Sequence, residues 1–186
     1  MLIIQLRNHN RQSGISLIEV LVLAIIMSIG LLGIIGLQVA GIKMTTNSVS
    51  KTQALILSED LISRIRANRN AVIDLNGIVY DTNYKKSKGS NFPTAGVTNC
   101  LTSTGCTFQE MAKTDLFNWS QLVKNSLPAN AKTLKDETFL CLDSNPTDSA
   151  DCDNKGSTFV LQIGWNDVSK IDTSSTIQTY RIFFQP

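Results

Sequence analysis

The chain has 186 residues and a formal net charge of +2. That balance leaves no basic footprint of the kind that binds nucleic acid. Its one histidine, His9, lies ahead of the apolar run near the N-terminus; a chain trimmed of that stretch would hold none, which argues against a histidine-based triad and most zinc sites. No other catalytic constellation is visible, and no enzymatic activity, metal or cofactor is expected.

Arg7, His9 and Arg11 sit in a short leader. From Ile15 to Ile42 the only charged residue is Glu19. A membrane-spanning helix needs about 20 apolar residues, and this run meets that length. A carboxylate near the bilayer centre costs roughly 2.5–3.5 kcal/mol, less near the interface, so Glu19 calls for a positive partner or a place in the headgroup zone. An ordinary secretory signal fits worse, since its apolar core is about 7–15 residues long. Arg7 and Arg11 before the span are offset by Lys43 and Lys51 after it, so the positive-inside asymmetry is weak. All four cysteines lie in the second half of the chain, where an oxidising compartment would pair them. The body is therefore expected outside the cytoplasm.

The stretch Gly14-Ile15-Ser16-Leu17-Ile18-Glu19-Val20-Leu21-Val22 resembles the class III signal of type IV pilins and pseudopilins. The resemblance implies that a prepilin peptidase cuts between Gly14 and Ile15, methylates the new amine of Ile15, and leaves the apolar segment attached. Ile15 stands where the family most often has Phe. Removing Arg7 and Arg11 with the leader leaves 15 basic and 15 acidic residues. The new amine would lie four residues before Glu19. In a filament, Glu19 of one subunit can neutralise the Ile15 amine of a neighbour, because opposite charges attract strongly away from water and leaving either unpaired is costly. A pair within one chain is the alternative.

Downstream, no proline occurs before Pro93, and Ala54, Leu57, Leu61 and Ile65 recur at steps of three and four, with Leu55 and Ile62 beside them. The spacing predicts one long helix with an apolar stripe in its second half. Ser58, Glu59, Ser63, Arg64 and Arg66 fall mainly on other faces. From Ile15 to Asn68 such a helix would measure about 80 Å. Gly30, Gly33, Gly36 and Gly41 interrupt the apolar half and suit either close helix packing or local softening. Gly36 stands near the place where major pilins often carry a proline.

Residues 70–107 are rich in turn signals. Tyr80, Tyr84 and Phe92 flank Lys85, Lys86 and Lys88, a mix that could stack and neutralise a single nucleic acid strand, but a solvated loop with a few anchoring aromatics is the expectation, and nucleic acid is not an expected partner. Phe108 to Leu127 reads as a second helix, ended before Pro128, with Leu116, Trp119, Leu122, Val123 and Leu127 as its buried stripe. Thr138 to Asp143, the alternating stretch Phe159 to Trp165, and Thr176 to Phe184 read as strands. The fold class expected is α+β: a long N-terminal helix packed on one face of a small antiparallel sheet, with a second helix. The domains are a leader (1–14), a membrane and filament-core segment (15–42), an amphipathic helical half (43–69) and a head (70–186).

Arg64-Ile65-Arg66-Ala67-Asn68-Arg69, Met111-Ala112-Lys113-Thr114-Asp115-Leu116-Phe117-Asn118-Trp119 and the apolar Ser28 to Gln38 resemble the PilV type of minor pilin. That resemblance implies a structural subunit of the pilus priming complex at the tip, supporting biogenesis, adhesion and twitching. Its implied partners are other minor pilins, the major pilin, the prepilin peptidase and the inner-membrane assembly machinery. The implied location is a single pass through the inner membrane with a periplasmic head, then the pilus. A minor pseudopilin of type II secretion is the nearest alternative, and a membrane-anchored adhesin or DNA-binding module is an alternative of another class.

Four cysteines allow three pairings. Cys100–Cys106 and Cys141–Cys152 are favoured because each encloses one turn-rich loop; closing about ten residues stabilises by about 2–3 kcal/mol. Asp143, Asp148, Asp151 and Asp153 crowd the second loop. They offer oxygen ligands, yet their spacing does not match an EF-hand, and a solvated loop is expected.

Overall fold

A computed structural model describes residues 14, 16–80, 83–103, 105–147, 152–167 and 176–186. The chain divides into two compact units, Met1–Ile42 and Lys43–Pro186. Helix α1, Leu17–Ala67, begins in the first and ends in the second.

In the first unit every described side chain is exposed. The helix is long and apolar enough to cross a membrane, by length and composition. It runs unbroken through Gly30, Gly33 and Gly36, where an added Cβ would meet open space. A partner helix could therefore approach these positions closely.

The second unit has a conventional core. Ala54, Leu57, Leu61, Ile62 and Ile65 of α1 are buried, which is the stripe the spacing predicts. Leu55 is exposed, and Ser58, expected on another face, is fully buried because its hydroxyl donates to Ala54 O at 2.7 Å. Satisfied in this way, a small hydroxyl enters a core without the usual desolvation cost. The helix stops at Ala67, short of Arg69, and Arg69–Ala71 forms a 3₁₀ turn.

Helix α2, Phe108–Ser126, opens on a capping box: Thr107 Oγ1 accepts from Glu110 N, and the Glu110 carboxylate accepts from Thr107 N at 2.9 Å. The bond from the Thr107 amide, and then one from the Thr107 hydroxyl at 3.0 Å, hold the Glu110 carboxyl below its usual range. The buried stripe is Ala112, Leu116, Trp119 and Val123, with Leu127 just beyond the helix; Leu122 is exposed, one step off the face. Helix α3, Ala131–Asp136, was not foreseen in the sequence, although its cap is written there: the Asn130 side chain accepts from Thr133 N at 2.8 Å.

Strands β1 (Phe139–Asp143), β2 (Thr158–Asn166) and β3 (Ile177–Phe184) form an antiparallel sheet in the order β1-β2-β3. The first and third start one residue later than expected. Leu161 pairs with Leu140 and Ile182, and Phe159 with Leu142 and Phe184. One face joins the α1 and α2 stripes in a single cluster. The expectation of one buried face fails for β2, which is buried on both: Phe139, Cys141 and Val160 form a second cluster with Cys152 packed against it. Gly164 passes against Glu137, so closely that a Cβ there would clash with that residue's side chain and backbone.

Candidate functional site

The N-terminal segment opens the helix on Ser16, whose carbonyl accepts from Glu19 N at 3.0 Å and Val20 N at 3.3 Å. Glu19 stands in the first turn with an exposed side chain, where the helix dipole favours a negative charge. Gly14 is exposed, with nothing within 4 Å of its Cβ position. Ile15 lies outside the described residues.

In the second unit, the two sequence stretches singled out at the end of α1 and the start of α2 meet. Arg64 Nε donates to Asp60 at 2.8 Å and its Nη1 to Asp115 at 3.3 Å. Tyr84 OH donates to the other Asp115 oxygen at 2.5 Å. Asn68 Nδ2 donates to Tyr84 OH at 3.1 Å and to Phe108 O at 2.8 Å. One helical turn away, Trp119 Nε1 donates to Leu57 O at 2.7 Å. The network fixes α2 antiparallel to α1 and joins Tyr84 of the intervening loop to both. Burial, and then the bond to Asp115, push the Tyr84 hydroxyl well above its usual pKa. The bond to Asp60 raises that of Arg64 against the opposing effect of burial. Every charged group here has an opposite partner, so the arrangement fastens elements together; it presents no activated nucleophile.

The lysine and aromatic stretch keeps Lys85 and Lys88 exposed and anchors through Tyr84, as a solvated loop with anchoring aromatics would, but departs from it at Lys86. Tyr84 is inside, and so is Lys86, 2% exposed. The Lys86 ammonium donates to Leu134 O at 3.0 Å, Lys135 O at 2.6 Å and Thr138 O, capping the end of α3. It also lies 5.1 Å from the Phe92 ring centroid. Its backbone pairs with Leu140 in both directions, at 2.8 and 2.9 Å. Burial lowers its pKa to about 8, with Asp136 opposing and Lys135 assisting. Neither Tyr84 nor Lys86 is placed to receive a nucleic acid strand. No local signal marks Lys86 as buried, because its partners lie about 50 residues away in the chain.

Cys100 is joined to Cys106, with Cα atoms 4.8 Å apart, and Cys141 to Cys152, at 6.2 Å. In the second loop, Asp153 accepts from Ser144 Oγ at 2.6 Å, Ser144 N at 3.1 Å and Lys155 N at 2.9 Å. The Ser144 bond, then the Lys155 amide, hold it below the ordinary carboxylate range. Asp143 accepts from Asn145 N at 3.1 Å. These two carboxylates therefore serve as turn acceptors, while Asp148 and Asp151 lie outside the described residues.

A family model described as Tt1218-like, type IV pilin Tt1218, matches residues 36–117. The matched stretch carries Arg64, Tyr84 and Asp115 of the fastening between α1 and α2, and ends two residues before Trp119. No curated protein and no solved structure matches the chain. A long N-terminal helix with an apolar first half, followed by a three-stranded antiparallel sheet and further helices, is consistent with a type IV pilin fold. Together, match and fold support a type IV pilin family, whose members are in general structural subunits of pili, and they fit a membrane-anchored one.

Proposed function

We propose that this chain is a minor pilin of the PilV type. The prepilin peptidase cuts it between Gly14 and Ile15 and methylates the Ile15 amine. Residues 15–42 hold it in the inner membrane with the disulfide-bonded head in the periplasm, until it joins the priming complex at the pilus tip with other minor pilins and the major pilin. It thereby supports pilus biogenesis, adhesion and twitching. The observation that carries this reading is the exposed apolar part of α1, up to Ile42, whose one carboxylate, Glu19, stands four residues after Ile15. In water such a surface is untenable, and in a membrane or a helix bundle it is covered. The type IV pilin match favours a pilus over a secretion pseudopilus.

Mass spectrometry of the chain from membranes and from sheared pili tests the reading. The N-terminus is expected to be N-methylated Ile15, and Gly14→Phe should leave the leader attached. An intact Met1 terminus in the wild type, or a cut beyond Ile42, would overturn it.

A further inference from the structure

Two features of the second unit remain unused, and they lie at opposite ends of it. The first is a loop tip just past the C-terminal end of α1. Asp74 accepts through Oδ1 from Asn76 N at 2.9 Å and Ile78 N at 2.7 Å. Its own N–H donates to Ile78 O, and Gly77 N donates back to Asp74 O, both at 3.0 Å. Gly77 takes a φ of +79°, which the turn needs and a side chain would resist. Below the tip, Ile73 bridges Val79, Tyr80 N donates to Val72 O at 2.9 Å, and Tyr80 OH donates to Asn70 O at 2.8 Å. Leu75 is 106% exposed and Ile78 62% exposed on this stiff base. The turn backbone beneath them is fixed by these bonds, so a contact through the two side chains would not have to order the loop as well.

The second feature is a groove of about 280 Å³ between the C-terminal part of α2, α3 and residues 91–94. Phe92, Pro93 and Leu134 supply apolar surface, and the exposed Lys124 and Lys135 stand among the lining residues. Among the described residues no carboxylate lines it. By comparison, a cavity of about 150 Å³ holds a benzene ring, so this groove has room for a leucine side chain. The tip, from Asn70 to Tyr80, carries Asp74 and no basic residue. Apolar knob and apolar hole, acidic tip and basic groove, are complementary.

Their placement matters as much. Asn68 meets Phe108, and Leu57 meets Trp119, so α2 runs antiparallel to α1. The tip thus lies beside the start of α2, and the groove about 24 Å away along it, from Phe108 to Lys124. A contact between unlike surfaces at opposite ends of one unit cannot close within a molecule. Between two copies in parallel alignment it is a heterologous, head-to-tail contact.

We infer that two copies of this chain stack, the 74–78 tip of one inserting Leu75 into the 91–94/α2/α3 groove of the next, with Asp74 facing Lys124 and Lys135. The inference rests on the pilin reading for the parallel alignment of the two copies.

The test uses the full-length chain in cells, with Leu75 replaced by a photo-crosslinking benzophenone residue. Irradiation should give a product of twice the chain's mass, and its cross-linked peptide should map to residues 91–94, 121–124 or 131–135. Lys124→Glu combined with Lys135→Glu, both at exposed positions, should cut the yield about tenfold. Cross-links only to other proteins, to another surface of the chain, or to nothing would overturn stacking, as would a yield indifferent to the charge reversal. Sheared pili are assayed in parallel. A chain present in pili without the cross-link leaves the pilin reading standing and removes the stacking alone; a cross-link in membranes from a chain missing from pili keeps the stacking and removes the filament.

Discussion

Lys86 illustrates what a single side chain does in this head. Three backbone carbonyls and the Phe92 ring favour its ammonium, while burial opposes it, and burial prevails: the pKa falls from 10.5 to about 8. Between about pH 8 and 10.5 the unfolded chain therefore binds more proton here than the folded one. The contribution of Lys86 to stability rises with pH across that window and is lost as pH falls through about 8. Chemical denaturation of the wild type and of Lys86→Met, from pH 7.5 to 10, isolates this effect from other titrations. The difference in unfolding free energy should move in favour of the wild type as pH rises; a flat or opposite difference would show that the folded and unfolded chains hold this proton equally.

At the scale of elements, the joint between α1 and α2 depends on one buried carboxylate more than on the ion pair drawn to it. Arg64 is partly exposed and keeps Asp60 if Asp115 is lost, and pairs of that kind contribute about 0–1 kcal/mol. Tyr84 is fully buried, and without Asp115 its hydroxyl has no acceptor among the described residues. A buried donor left unsatisfied costs about 1–3 kcal/mol. Asp115→Ala should therefore destabilise the head by about that amount, and Asp60→Ala by less than 1 kcal/mol, as read from denaturant midpoints at unchanged slope. Equal effects would show that the Asp60–Arg64 pair within α1 matters as much as the buried carboxylate. The same joint shows what was legible in the sequence. The stripes Ala54–Leu57–Leu61–Ile65 and Leu116–Trp119–Val123 follow from spacing alone, because helical period is a local property. The strands follow from alternation for the same reason. Leu122 was misread since one step of 100° separates a buried from an exposed face, and Ser58 because its hydroxyl is satisfied by its own helix. Helix α3, with six residues, is too short to show a period. The burial of Lys86 and Tyr84 depends on Thr138 and Asp115, far along the chain, and no local pattern encodes such a contact. Gly14, Ile15 and Glu19 were read from a motif and remain a proposal, since their roles are exercised against an enzyme and a neighbouring subunit.

For the whole molecule the question is whether the N-terminal helix only anchors the head or also assembles it, and Glu19 separates the two. Replacing it with alanine keeps a strong helix former and makes the span more apolar, so membrane insertion should be retained or improved. If the chain is processed as proposed, the Ile15 amine of a neighbour in a packed bundle would lose its counter-charge, and an uncompensated buried charge is strongly destabilising. Glu19→Ala should therefore reach normal membrane levels yet fall by about tenfold or more in sheared pili, as expected when a buried ion pair is broken. Total piliation should fall with it if the chain helps to prime the fibre. Immunoblots of membrane and sheared fractions, with twitching measured in parallel, read both sides. An anchored receptor would tolerate the change. Should Glu19→Ala enter pili and support twitching as the wild type does, the carboxylate has no part in registering subunits.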